Sequence, residues 1–144
     1  MKMIKTETAV QVSLKIEAMI DGEFERFTFQ EAGRLVSLND HQHYLTYTEH
    51  QAGQATPVRM RLDAGALSVT RNGARRTRLQ FDPAAPTLSH YRTEYGVLSL
   101  QVETAEAVSE MDWAAAQGHL RLRYRLRNES GLIGNYYLDL SFER

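Results

Sequence analysis

From Val10 onward, Val12, Leu14, Ile16, Ala18 and Ile20 are apolar, while Gln11, Ser13, Lys15 and Glu17 between them are polar. Successive side chains of an extended strand point to opposite faces, so this alternation predicts a strand with one buried and one wet face. The pattern recurs. Phe27 and Phe29 stand between polar neighbours, and Leu45 and Tyr47 stand among Tyr44, Thr46 and Thr48. Val58, Met60 and Leu62 alternate with Arg59 and Arg61, and Leu98, Leu100 and Val102 with Ser99, Gln101 and Glu103. Toward the end, Leu120, Leu122, Tyr124 and Leu126 alternate with Arg121, Arg123, Arg125 and Arg127. Tyr136, Leu138, Leu140 and Phe142 complete the series.

Turn signals divide these runs at Asp21-Gly22, Asn39-Asp40, Ala64-Gly65, Asn72-Gly73 and Gly131. Short strands separated by tight turns predict an all-β antiparallel meander, folded as a barrel or a sandwich. A closed barrel of about eight to ten strands is favoured, because closure removes edges that would template aggregation. At Asn72-Gly73 a strict two-residue loop would set Val69 against Arg76 and mix the faces. A loop one residue longer, with Gly73 in a left-handed bulge, keeps like faces together. The one candidate for a short helix is Met111–Gln117, where alanines precede Gly118. Pro83 and Pro86 mark a connection. No repeat or linker appears, so residues 1–144 read as one domain.

The second half carries a family pattern. Tyr91, then Thr93-Glu94-Tyr95-Gly96-Val97-Leu98-Ser99-Leu100 with Val102 and Thr104, resembles the central signature of the YwiB-like family of small bacterial proteins. Gly118, Leu120, Leu122, Tyr124 and Leu126, followed by Gly134, Asn135, Leu138 and Leu140, resemble its closing hairpin. His43–Glu49 and the Arg71-Asn72-Gly73 turn fit the same pattern. The resemblance implies a lipocalin-like, calycin-type β-barrel. It implies no established activity, so no catalytic residue carries over. The Asp82–Pro86 connection departs from the pattern, which has a more polar, glycine-containing loop there.

Composition narrows function by exclusion. The formal net charge is −1, so no overall field draws the chain to nucleic acid or membrane. Cysteine is absent, which removes disulfides, thiolate metal sites and thiol catalysis. Met1–Glu7 lacks the apolar stretch of a signal peptide, and no run has the length of a membrane span, so a cytoplasmic location is expected. The 3 lysines are Lys2, Lys5 and Lys15, which leaves 14 of the 17 basic residues as arginine.

Several groups merit weighing as chemistry. Arg121, Arg123, Arg125 and Arg127 share one strand face and, helped by Arg75, Arg76 and Arg78, offer a track for phosphates. Hairpin arithmetic places Arg121 against Asp139 and Arg123 against Tyr137, which are ordinary outer-face partners. His41 and His43 share a parity beside a turn, and His50 lies further on. Without three converging ligands these read as a wet loop, and no metal site or cofactor is expected. No nucleophile elbow, phosphate loop or carboxylate pair supports an enzyme. Tyr124 and Tyr136 have inward parity and face each other across the closing hairpin. Arg71 shares the parity of Leu67 and Val69, so it is expected to turn in at a barrel mouth, where an unpaired charge is costly. The leading expectation is a non-catalytic barrel holding a small, partly apolar ligand, lined or rimmed by Arg71, Tyr44, Tyr95, Tyr124 and Tyr136. The alternative is an interaction module docking RNA or an acidic protein through Arg121, Arg123 and Arg125. A monomer or a homodimer through Tyr137 and its outer-face neighbours are both compatible with the sequence.

Overall fold

A computed structural model describes residues 5–39, 41–63, 65–73 and 76–144, the side chains of Arg92 and Thr93 aside. Asp40, Ala64 and Arg75, named above, lie outside the described residues, as do Ala74 and Met1 to Ile4.

Ten antiparallel strands follow one another: β1 (Lys5–Ile20), β2 (Glu23–Leu38), β3 (Gln42–Gln51), β4 (Gln54–Arg61), β5 (Leu67–Asn72), β6 (Arg76–Phe81), β7 (Thr87–Thr93), β8 (Gly96–Asp112), β9 (Gln117–Asn128) and β10 (Gly131–Glu143). They form one sheet ordered β6-β5-β4-β3-β2-β1-β10-β9-β8-β7, a meander whose first and last strands pair through β1 and β10. The sheet curls until β6 meets β7, giving a nearly closed barrel. That seam is bridged by side chains. Thr87 Oγ1 donates to the Gln80 carbonyl at 2.6 Å, and Ser89 Oγ donates to the Arg78 carbonyl. Hydroxyls thereby cover carbonyls that an open edge would leave unpaired. No helix among the described residues is long and apolar enough to cross a membrane.

The inner parity of every strand meets in one core. Leu45, Met60, Leu122 and Leu140 are wholly buried in its middle, so the barrel's waist is filled by its own side chains. Local chemistry sets the turns. Ile20 pairs with Glu23 across Asp21-Gly22, whose φ values of 51° and 77° give the twist a two-residue hairpin needs. In β2, Gly33 marks a close approach: a Cβ there would lie 2.8 Å from both the Thr46 carbonyl oxygen and Val12 Cγ2. Pairing of β2 with β3 begins at this glycine, and the earlier part of β2 diverges from the β3–β4 hairpin.

Three sequence expectations need correction. Met111–Gln117 is not helical: β8 runs to Asp112, and β9 starts at Gln117. Four intervening residues are too few to nucleate a helix. They form a turn instead, with Ala115 N–H held by Asp112 Oδ1 at 3.1 Å and Ala116 at φ 53°. At the Asn72 turn the longer loop is present, since Asn72 pairs with Arg76 and Val69 with Leu79, yet Gly73 does not adopt the left-handed conformation. His43 is no loop residue; it lies in β3 and is buried, because it shares the parity of Leu45 and Tyr47.

Candidate binding site at the open end of the barrel

The two ends of the barrel differ. One end is covered by the β8–β9 turn, which lays Trp113 flat on His43 with ring centroids 3.9 Å apart and planes 6° from parallel. The histidine is tied down. Its Nδ1 and Ser37 Oγ share a hydrogen bond of 2.8 Å, and its backbone N–H donates to both Asp63 carboxylate oxygens at 3.1 Å. This end has a lid made from the chain itself.

Among the described residues the opposite end has none. Ile16, Phe27, Tyr91, Leu126 and Tyr136 have inward parity there but are only partly buried. Beside them lies a polar network. The Arg71 guanidinium donates to Glu49 in a fork, Nε to Oε1 at 3.1 Å and Nη2 to Oε2 at 3.3 Å. The Tyr47 hydroxyl donates to Glu49 Oε2 at 2.9 Å. Glu49 is 7% exposed, which a carboxylate tolerates only with such partners. Burial alone would lower the Arg71 pKa, but the Glu49 charge and its hydrogen bonds more than offset that and raise it. Burial, reinforced by the Glu49 charge, pushes the Tyr47 phenol well above the ordinary tyrosine value.

Next to this network Tyr124 and Tyr136 pair across the closing hairpin and stack, with centroids 5.2 Å apart and planes 8° from parallel. Phe81 meets Tyr124 edge-on at 4.8 Å. Burial pushes Tyr124 up to about 12, against an opposing pull from Arg71, and burial together with the Glu25 charge raises Tyr136. Thr104, opposite Tyr124 on β8, keeps its hydroxyl buried without a hydrogen-bond partner among the described residues.

Of the residues singled out in the sequence, Arg71, Tyr124 and Tyr136 come together at this end. Tyr95 sits on its rim, in the turn between β7 and β8, and is highly exposed. Tyr44 does not join them. It lies on the outer face, where Arg59 stands over its ring at 4.1 Å. Tyr47 and Glu49 were missed, though the signal existed: both share the parity of buried Leu45, so an acid at that parity needed a buried cation. The outer arginines are arranged as the hairpin arithmetic predicts, Arg121 opposite Asp139 and Arg123 opposite Tyr137. Arg123 also contacts Glu106 at 3.2 Å and Arg127 contacts Glu103 at 2.5 Å, so carboxylates interleave with that row.

A family model described as a domain of unknown function, DUF1934, matches residues 10–140. The chain belongs to the DUF1934 family. The matched span runs from the middle of β1 into β10 and takes in Tyr47, Glu49, Arg71, Tyr124 and Tyr136. The chain is also 25% identical over 121 residues to the uncharacterized beta-barrel protein YwiB of Bacillus subtilis (strain 168), covering 84% of this chain and 83% of that protein. The crystal structure of the ywiB protein from Bacillus subtilis superposes with a TM-score of 0.79 at 22% identity, covering 95% of this chain and 92% of that one. The likeness establishes the DUF1934 barrel; function is not established for the family or for this relative.

Proposed function

We propose that this DUF1934 barrel is a non-catalytic binding protein that takes a small, partly apolar ligand at its open end, in the manner of a lipocalin cup. The observation that carries this reading is the asymmetry of the ends. One is covered by Trp113 stacked on His43, while the other leaves inward-facing Ile16, Phe27 and Tyr136 partly exposed. Filling the barrel with its own side chains throughout would bury these residues, as it does at the waist. The ligand therefore seats above the waist. The apolar cup supplies contact area, and Arg71, Glu49 and the Thr104 hydroxyl, which has no hydrogen-bond partner among the described residues, supply the few polar groups that fix orientation.

A titration with N-phenyl-1-naphthylamine, a neutral apolar fluorophore, tests this. Saturable binding is expected, and Ile16→Trp, which fills the cup, is expected to weaken it at least tenfold while the protein stays folded by circular dichroism. Absence of saturable binding, or binding unchanged in Ile16→Trp, would sink the proposal.

A further inference from the structure

The strongest unassigned chemistry lies on the outer face of β3 to β6. Outward-facing Arg59 and Arg61 of β4 and Arg76 and Arg78 of β6 surround a concavity of about 280 Å³, with Tyr44, Ser68 and Thr70 as its remaining lining. Register explains the convergence. Thr70 pairs with Arg59 on one side and Arg78 on the other, Ser68 pairs with Arg61, and Asn72 pairs with Arg76. With strands about 4.8 Å apart, arginines flanking β5 stand roughly 10 Å from one another across a strip of hydroxyls.

What marks this cluster is how few carboxylates it meets: among the described residues Asp63 alone pairs with it. Several arginines elsewhere on the outer face meet acids: Arg26 with Glu17, Arg34 with Glu7, Arg123 with Glu106 and Arg127 with Glu103. Here, among the described residues, Arg61 pairs with Asp63 at 2.9 Å, and Arg59, Arg76 and Arg78 have no ion pair. Arg59 is held in place by the Tyr44 ring below it and Arg61 by Asp63, so two of the four guanidiniums are oriented in advance. Ser68, though outward in parity, is buried beneath the arginines and forms part of the floor. Four like charges with the single counter-charge of Asp63 beside Arg61 repel one another, and an anion in their midst relieves the repulsion. Guanidinium forks match the paired oxygens of a phosphate, and hydroxyl donors from Ser, Thr and Tyr complete such a site.

We propose that this concavity binds the terminal phosphate group of a small organic phosphomonoester. A closed cluster of four arginines suits one compact dianion. A polynucleotide backbone would instead need a track of cations extending along the sheet, and beyond β3 the next arginine in line, Arg34, is already engaged by Glu7 at 3.3 Å. The site is separate from the open end of the barrel and does not depend on the reading given to that end.

Amide NMR titration of the full chain tests the assignment with four probes: adenosine 5′-monophosphate, inorganic phosphate, adenosine, and a single-stranded RNA hexamer with a 5′-hydroxyl. The monophosphate is expected to give saturable shifts centred on Ser68, Thr70 and Arg78, inorganic phosphate a weaker response at the same amides, and adenosine none. The double variant Arg59→Gln/Arg78→Gln is expected to lose at least tenfold in affinity with distant amides unmoved, while Arg121→Gln/Arg125→Gln binds as the parent does. Absence of localised saturation, equal affinity in the Arg59/Arg78 variant, a response to inorganic phosphate alone, or tighter binding of the hexamer than of the monophosphate would each overturn the proposal.

Discussion

Arg71→Met is the perturbation that reads out the inner polar network. It removes both guanidinium hydrogen bonds from Glu49 and leaves a carboxylate whose side chain is 8% exposed with Tyr47 as its remaining donor. Breaking a fully buried pair from one side costs about 3–5 kcal/mol. The Arg71 side chain retains 23% exposure, so water reaches the pair and screens it. The expected loss is therefore about 2–3 kcal/mol. For a chain of this size that is a fall in Tm of about 5–10 °C. The pair itself contributes far less than its rupture costs, because both partners were desolvated to make it. Glu49→Gln combined with Arg71→Met keeps an acceptor for the Tyr47 hydroxyl without stranding a charge, and is expected to lie within about 1 kcal/mol of the parent. Urea denaturation followed by circular dichroism and by the fluorescence of Trp113, the chain's single tryptophan, gives all three values. If Arg71→Met shifts stability by less than about 0.5 kcal/mol, or if Glu49→Gln fails to rescue it, the pair is not desolvated and the reasoning is wrong.

Other consequences are open to measurement. Gly33→Ala would drive a Cβ against the Thr46 carbonyl and Val12 where β2 and β3 meet, and a loss of about 1–3 kcal/mol in thermal or urea unfolding is expected; a neutral result would mean the strands can move apart freely. Ser89→Ala removes the bond to the Arg78 carbonyl across the β6–β7 seam, so amide hydrogen exchange should accelerate in those two strands and leave β1 and β10 unchanged. Tyr124 is held neutral in the fold up to about 12, whereas an unfolded tyrosine ionises near 10. The folded value is the higher one, so its stabilisation is complete below about pH 10 and is lost as pH rises from there toward 12. Ultraviolet titration of phenolate against unfolding at alkaline pH checks that sign.

Alternation carried most of the fold because a meander with a filled waist must repeat inward parity on every strand. The same arithmetic set Tyr124 against Tyr136 and Arg121 against Asp139. It also turned Arg71 inward, since parity does not depend on what the side chain is. The sequence was less informative where a residue's type outweighed its parity. Glu49 and His43 look like surface residues, yet both sit at buried positions because Arg71 and Asp63, distant in sequence, join nearby Tyr47 and Ser37 in supplying their hydrogen bonds. The alanines before Gly118 favour a helix locally, but the hairpin leaves no room for one. Tyr44 was grouped with the inner tyrosines on chemistry alone; its alternation with Leu45 already placed it outside. The four-arginine concavity was hidden for another reason. Its members come from two strands, and they meet only once β5 is inserted between β4 and β6 with the register observed.

Native mass spectrometry of the protein purified without denaturation from its own host tests the open end of the barrel most directly, since it weighs the chain with whatever it holds. A discrete added mass is expected on the parent chain and is expected to be absent from Ile16→Trp purified in parallel. Parent and variant both flying at their bare polypeptide masses, or both carrying the same addition, would contradict binding at that end.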